Sequence, residues 1–552
     1  MRASISRVHG VIEDFFYVAL KTLSIRRSDA LQLAARMEPE SKLPEDPQTL
    51  RQVVLELLSA LQEKDRRIGQ LSSQLEALRR RLFGRQSEKL NADQLALDLG
   101  AWLAAHALEQ GTETPAAEPP SEGGDKQGQR KTGHGRKQLP KNLPRQRTEY
   151  HPAVLTCGEC SGALQRIGEE VSEQLEYIPA SLLVLEHARI KYACPHCQDK
   201  VEIGSLPIKP IEKGLPGPGL LAHVVTSKFA DHLPLNRLEG IFLRQGVELS
   251  RSTLCGWIAA GASLLAPIVA AMKTDLLASR KIHTDDTPVP VLDKDQSKTK
   301  TGRLWVYVGD DQHEHIVFDY SPDRKGEHPK GFLGEYGGYL QADAYTGYDA
   351  LYAELKILEV GCFAHARRKF FDAMSSDQRR VPIALAYIRR LYGIEKRARD
   401  LKPKERFALR QEEAPPILAA FKAWLDEEAQ RVLPKSPLAE AIGYVRAHWA
   451  ALTRYLEDGI LELDNNIAER ALRRVAIGRK NWMFAGSDEG GRRAAILYSL
   501  VASCAALKID PYAYLRNVLD VAPTCSTPAE LARLTPKAWK ADLEKPAQDQ
   551  AA

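Results

Sequence analysis

Charge of one sign is scarce in this chain: 77 Lys and Arg against 72 Asp and Glu leave a net +5. So small an excess cannot by itself argue for a nucleic-acid partner, and the distribution along the chain has to carry that argument. Long apolar runs are scarce as well. The longest uncharged apolar run, LLAPIVAAM at 264–272, is far short of a membrane span. Glu13 and Asp14 stand where a secretory leader needs its apolar stretch. Cysteine is sparse, with 8 in 552 residues, four in two tight pairs and four scattered. That usage argues against a disulfide framework and suits a metal site in a reducing compartment. Together these features predict a cytoplasmic protein with no membrane partner. A chain of 552 residues also exceeds one core, which predicts about three to five folding units.

What is present is modular. Residues 1–48 give no clear signal. Val54, Leu57, Leu61, Ile68, Leu71, Leu75, Leu78 and Leu82 follow a heptad seam, broken only by Lys64. The seam predicts a coiled coil over 49–90 and hence a homo-oligomer, at least a dimer; a long helix packed on its own domain is the plainer alternative. Residues 91–150 are rich in Pro, Gly and charge and read as a disordered linker. Within it, 126–147 hold eight Lys or Arg, Arg136 and Lys137 among them, and no acid. A basic arm of this kind fits DNA backbone or minor-groove contact, or serves as a solubilising spacer.

Cys157 and Cys160 form one CxxC pair, and Cys194 and Cys197 a second. Two such pairs suit one tetrahedral Zn²⁺, a structural site with no position left for water; His151 and His196 are substitute ligands. The 33 residues between Cys160 and Cys194 exceed the common spacing. The segment EQLEYIPASLLVLEHARIKYAC alternates like two strands, so a hairpin there is expected to bring the pairs together, making 151–204 a small zinc-binding β module. In LNRLEGIFLRQGVELSRSTLCGWI the pattern is helix, turn at Gly246, and a second helix capped by Ser250. This predicts a helix-turn-helix within 205–272, with Arg251, Ser252 and Thr253 at the start of the DNA-reading helix.

After Ser279 short strand-like runs follow one another: RKIHTDDTPVPVL, GRLWVYVGD, HIVFDYS and YLQADAYTGY. A series of strands, one ending in Asp, then strand and helix, predicts a mixed sheet of RNase H type. Asp285 or Asp286 is expected to end the first strand region; neighbours on a strand face opposite sides, so only one can serve a shared site. Asp343 marks a later strand. Downstream, Ala468, Ala471, Leu472 and Val475 recur at helical spacing, which leaves Glu469 and Arg473 on a neighbouring face. A solvated Glu469–Arg473 ion pair is the plainer reading. The functional one makes Glu469 the third of three carboxylates that hold two Mg²⁺ (or Mn²⁺) about 3.5–4 Å apart. Arg367, Arg368, Lys369, Arg470, Arg473 and Arg474 would then hold DNA phosphates. His365 reads either as a phosphate contact or as a structural histidine.

HTDDTPV, LQADAYTGY, GCFAHARRKF, DNNIAERALRRVAIGRKNWMFAGSDEGG and SCAALKIDPYAYL, with RRLFGRQSEKL and the double CxxC segment, closely resemble transposases of the insertion-sequence-66 family over about residues 49–520. The resemblance implies a DDE catalytic centre in an RNase H-like core, with Asp285, Asp343 and Glu469 as the acids and Asp286 as the runner-up. Asp286 stands where the family usually carries Glu. It also implies metal-dependent cleavage and strand transfer on element terminal inverted repeats and target DNA, nucleoid association in a bacterium, and small accessory proteins as partners. A non-catalytic regulator derived from such an enzyme, or an RNase H-like nuclease that cuts without joining, are the competing expectations. The expected fold is multidomain α+β: a core of 279–374 plus 456–505, an all-helical insertion at 375–455, and a C-terminal helical tail at 506–552.

Overall fold

The computed structural model of the chain describes Lys64 and residues 182–188, 191–193, 201–203, 207–212, 214–293, 298–354 and 356–544. The heptad seam apart from helical Lys64, the basic arm with Arg136 and Lys137, and Cys157, Cys160, Cys194 and Cys197 lie outside the described residues. Described residues fall into two compact units. The smaller holds Lys369–Val381 and Ala423–Gly443; the larger holds the described part of Leu90–Arg368, with Pro382–Lys422 and Tyr444–Ala552.

Strand β1 (Lys191–Ala193) pairs antiparallel with β2 (Val201–Ile203), Lys191 facing Ile203 and Ala193 facing Val201. Only the last part of the segment expected to form a hairpin is a strand among the described residues. Residues 182–188 form no strand and are exposed, and the pairing instead brackets the second CxxC pair. The alternation there is therefore not a ladder signal; three apolar side chains, Leu183, Val184 and Leu185, face solvent.

Helix α1 (Pro218–Phe229) precedes α2 (Leu235–Arg244), and Gly246 then turns the chain at φ 81°. A positive φ suits glycine, which has no Cβ to clash. Ser250 accepts a hydrogen bond from Thr253 N at 3.1 Å and caps α3 (Arg251–Leu276). The uncharged stretch of α3 is longer than the apolar run at 264–272, covering 252–272. By length and composition α3 is able to cross a membrane. Its buried side chains, Leu254, Ile258, Leu265, Ile268 and Met272 among them, belong to the protein core instead.

The main sheet has β3 (Lys281–Val291), β4 (Lys300–Val308), β5 (Ile316–Ser321), β6 (Tyr339–Gln341) and β7 (Leu358–Val360), in the order β5-β4-β3-β6-β7. β3, β4 and β5 are antiparallel neighbours, whereas β6 and β7 run parallel to β3. Parallel pairing needs a crossover, supplied by α4 (Glu327–Leu333) before β6 and α5 (Asp349–Glu354) before β7. Buried Ile282, Trp305, Tyr307, Leu340 and Val360 line the sheet interior, and Tyr307 stacks on Phe332 of α4 with ring centroids 3.7 Å apart.

After β7 the chain is helical: α6 (Phe363–Ala373), α7 (Val381–Ala398), α8 (Pro403–Arg431), α9 (Pro437–Ala447) and α10 (Trp449–Thr453). Within the smaller unit Arg380 pairs with Glu428 at 3.0 Å. Within the larger one, fully buried Arg410 of α8 makes a two-pronged contact with Glu395 of α7, at 2.8 and 2.7 Å. Arg410 Nη1 also donates to the carbonyls of Tyr455 and Leu461, at 3.2 and 2.8 Å. A buried guanidinium that satisfied ties the helices to the segment leading back to the sheet.

That segment delivers α11 (Asn466–Trp482), α12 (Asp488–Ala506), α13 (Pro511–Val521), α14 (Pro528–Ala532) and α15 (Pro536–Glu544). Helix α12 seals the β5 edge. Ser499 and Ser503, one turn apart, accept from Phe318 N at 2.8 Å and Ile316 N at 2.9 Å, taking the place of a sixth strand.

Candidate active site

β3 places Asp285 and Asp286 side by side in different company. Asp286, 2% exposed at its side chain, accepts from Arg303 Nη1 on one oxygen at 2.9 Å. Its other oxygen takes Arg324 Nε at 2.9 Å and Arg324 Nη2 at 2.8 Å. Arg303 is reachable because Asp286 pairs with Trp305 across the ladder, and Arg303 lies two residues from Trp305 on the same face of β4. Both Asp286 oxygens are thus committed to guanidinium groups.

Asp285 accepts only the Asp286 backbone N–H, at 2.7 Å, among the described contacts. β6 lies parallel beside β3 with His283 facing Gln341, and Asp343 follows two residues beyond Gln341, level with Asp285. Burial, then the neighbouring charge of Asp343 and more weakly those of Asp286 and Glu469, push the Asp285 carboxyl up to about 8. Burial raises Asp343 too, against the opposing charges of His365 and Arg324. Arg324 Nη2 stands 3.7 Å from Asp343, and its guanidinium lies 4.0 Å from the centre of the Tyr345 ring. Arg324 therefore bridges the arginine pair to the carboxylates.

Glu469 sits in the first turn of α11, with its apolar neighbours Ala468, Ala471, Leu472 and Val475 buried beneath it. No ion pair joins it to Arg473 among the described residues; His365 Nε2 lies 3.9 Å from its carboxylate. The helix is pinned to β3 at both ends. At the start, Asn465 donates through Nδ2 to Thr284 O at 2.8 Å and through its backbone N–H to Cys362 Sγ at 3.2 Å. That orients the amide oxygen of Asn465 toward His283 Nδ1, 3.0 Å away. Burial, then the charge of Lys281, drive His283 down to about 3, so the ring is neutral and carries its proton on Nδ1. Upstream, Lys281 Nζ donates to Ile460 O at 2.7 Å, and Gln341 Nε2 to Glu462 O at 2.6 Å. At the far end Ala485 N donates to Pro290 O and Leu292 N to Ala485 O, both at 2.9 Å, while Arg479 Nη1 donates to Thr287 Oγ1 at 2.8 Å.

An all-oxygen donor set in which burial raises Asp285 and Asp343 fits a hard divalent cation, which would relieve the crowding of charge. The set is open. Among the described residues the one group of three whose ligand atoms lie within 4.8 Å of each other is Asp323, Glu327 and His328, and not the candidate triad.

Of the DNA-contact candidates, Arg251, Ser252 and Thr253 are exposed on the first turn of α3, and Arg470 and Arg473 are exposed on α11, with Arg474 half-buried. Arg367 and Arg368 follow His365 on α6; Lys369 belongs to the smaller unit. Sequence reasoning did not find Arg303, Arg324, Asn465 or His283. Asn465 carried a faint signal in the DNN at the helix start; the arginines carried none.

A profile described as the Transposase IS66 family matches residues 213–493. The zinc-finger binding domain of transposase IS66 matches 155–198, and the IS66 C-terminal element matches 499–537. A profile described as Transposase C of IS166 homeodomain matches 70–148. An uncharacterized Sinorhizobium fredii protein, y4hP, is 36% identical over 497 residues, covering 85% of this chain and 88% of its own. A second from that organism, y4jD, is 34% identical over 521 residues, covering 91% and 98%.

Proposed function

The chain belongs to the IS66 family of transposases, and from that premise we propose that it binds the ends of an insertion sequence, cuts a DNA strand and joins the freed 3′ hydroxyl to target DNA. The observation that carries this reading is the approach of Asp285 on β3, Asp343 past β6 and Glu469 on α11, with Asp285 pushed up to about 8 by burial and by the neighbouring carboxylates. A five-stranded sheet of three antiparallel and two parallel strands, with acids on the first strand, after the fourth and on a later helix, supports an RNase H-like DDE core.

In this reading Asp285, Asp343 and Glu469 are the catalytic acids and would hold two Mg²⁺ or Mn²⁺ ions. Such ions, when bound, activate the attacking water or 3′ hydroxyl and stabilise the leaving oxygen. The remaining chemistry belongs to the chain's own side chains. Asp286 is a positioning residue that fixes Arg303 and Arg324, and Arg324 presents its guanidinium beside Asp343 for the scissile phosphate. The Asn465–His283–Thr284 contacts set where Glu469 enters, and His365 steadies its carboxylate.

Cys157, Cys160, Cys194 and Cys197 are the ligands of one structural Zn²⁺ in the zinc-finger domain, as the β1–β2 pairing around the second pair supports. Arg251, Ser252 and Thr253 read element-end DNA, and Arg136, Lys137, Arg367, Arg368, Lys369, Arg470, Arg473 and Arg474 contact phosphates. The heptad seam joins at least two copies in the cytoplasm, where small accessory proteins of the element act with them. The domain limits given by the sequence stand as part of this proposal.

The test is incubation of the protein with labelled element-end DNA and a target plasmid, in Mg²⁺, Mn²⁺ or EDTA, beside Glu469→Gln. Metal-dependent joined products that vanish in the variant are expected. Cut but unjoined DNA favours a nuclease; binding without cutting in every metal favours a regulator and overturns the reading.

A further inference from the structure

Helix α11 runs from the candidate site past Arg470 and Arg473, two of the proposed phosphate contacts, to a partly apolar surface at its C-terminal end. Its exposed residues Arg470, Arg473, Ile477 and Lys480 recur at i, i+3, i+7 and i+10 and so form one stripe. No carboxylate pairs with Arg470, Arg473 or Lys480 among the described residues. The stripe ends at Met483 and Phe484, which are 65% and 39% exposed, with Ile477 47% exposed between Arg473 and Lys480. Three large apolar side chains set among unpaired positive charges do not form a solvated face.

The backbone holds them outward. Met483 has φ 61° and ψ −47°, a conformation that side chains disfavour, and its N–H still closes on Arg479 O at 2.8 Å. The next residues are anchored, since Ala485 pairs with Pro290 and Leu292 at the end of β3. A non-glycine residue kept in such a conformation by firm neighbours marks a position where the side chain has a task.

We propose that Met483 and Phe484, with Ile477 behind them, form a wedge that stacks on an unstacked base of the element-end DNA while the stripe of cations follows its backbone. The charge favours DNA over a protein or lipid partner: phosphate matches the cations, and a base face matches the aromatic and thioether surface. This rests on the reading that the chain binds element ends. Fourteen residues of helix separate Glu469 from Met483, or about 21 Å at about 1.5 Å per residue, so a duplex along this face meets the wedge about six base pairs from the cut.

The experiment scans 2-aminopurine through duplexes carrying the termini of the element that encodes the chain. Full-length protein, Phe484→Ala and Met483→Gly are compared, with anisotropy of the same duplexes reporting binding. Glycine removes the side chain and suits the backbone, so that variant keeps the fold. Expected is a fluorescence rise at one position about 5–7 base pairs from the cut, lost in both variants while binding weakens less than about tenfold. An abasic site at that position is expected to restore cleavage by Phe484→Ala. Tight binding with no rise at any position, or a rise that survives Phe484→Ala, overturns the wedge alone. No binding by the unaltered protein overturns the element-end reading and the wedge with it.

Discussion

Asp286 gives both oxygens to arginines, whereas Asp285 faces other carboxylates. Substitution should separate the two. The folded Asp285 carboxyl keeps its proton to about 8, against 3.8 ordinarily, so its ionisation works against folding. The stability tied to its proton is full below about pH 4 and is lost as pH rises through about 8. Asp285→Asn should therefore lose cleavage yet melt higher than the unaltered protein in EDTA at pH 8.5. The gain is on the order of a few kcal/mol and should shrink by pH 5. A variant that melts lower at pH 8.5 contradicts this electrostatic picture. Asp286→Asn should behave in the opposite way. It frees two buried or half-buried arginines, lowers stability, and slows cleavage about 10–100-fold while metal affinity holds, as measured by Mn²⁺ titration. Local pattern puts the proposed acids near the elements that carry them, although Asp285 lies inside β3 and not at its end as expected, while Asp343 follows β6 and Glu469 stands in the first turn of α11. Arg324 and Asn465 were not legible, because their partners are remote: the Asn465–Thr284 bond spans 181 positions.

At the scale of elements, local pattern served best where burial is one-sided. The apolar face of α11 lies buried as its spacing predicted, and the Gly246 turn and Ser250 cap fall where their residue types suggested. Before the second CxxC pair, residues 182–188 alternate in sequence yet form no strand, and among the described residues the pairing there joins Lys191–Ala193 to Val201–Ile203. The serines of α12 show a different limit. Ser499 and Ser503 look like neutral helix residues, yet they satisfy the outward N–H groups of the edge strand. Ser499→Ala should leave the Phe318 N–H buried and unpaired and cost about 1–3 kcal/mol in denaturant unfolding. A loss near zero would mean that the strand edge finds another partner.

Across the whole molecule, a near-neutral total hides separated charge: a basic arm at 126–147, cations along α11, and acids gathered on the sheet. This is why composition alone said little, and why the order of modules said more. Self-association belongs to this scale. Leu75→Pro in the full chain should break the heptad seam and lower the mass in sedimentation, leaving zinc content unchanged; an unchanged mass would remove the coiled coil from the assembly. The central claim is that Asp285, Asp343 and Glu469 together make a metal centre for DNA strand chemistry. The most direct measurement is anomalous scattering from Mn²⁺ in crystals of the protein bound to element-end DNA. Two peaks about 3.5–4 Å apart, bounded by those three carboxylates, are expected. Peaks at Asp286 or at the Asp323–Glu327–His328 group, with none at the three acids, would contradict it.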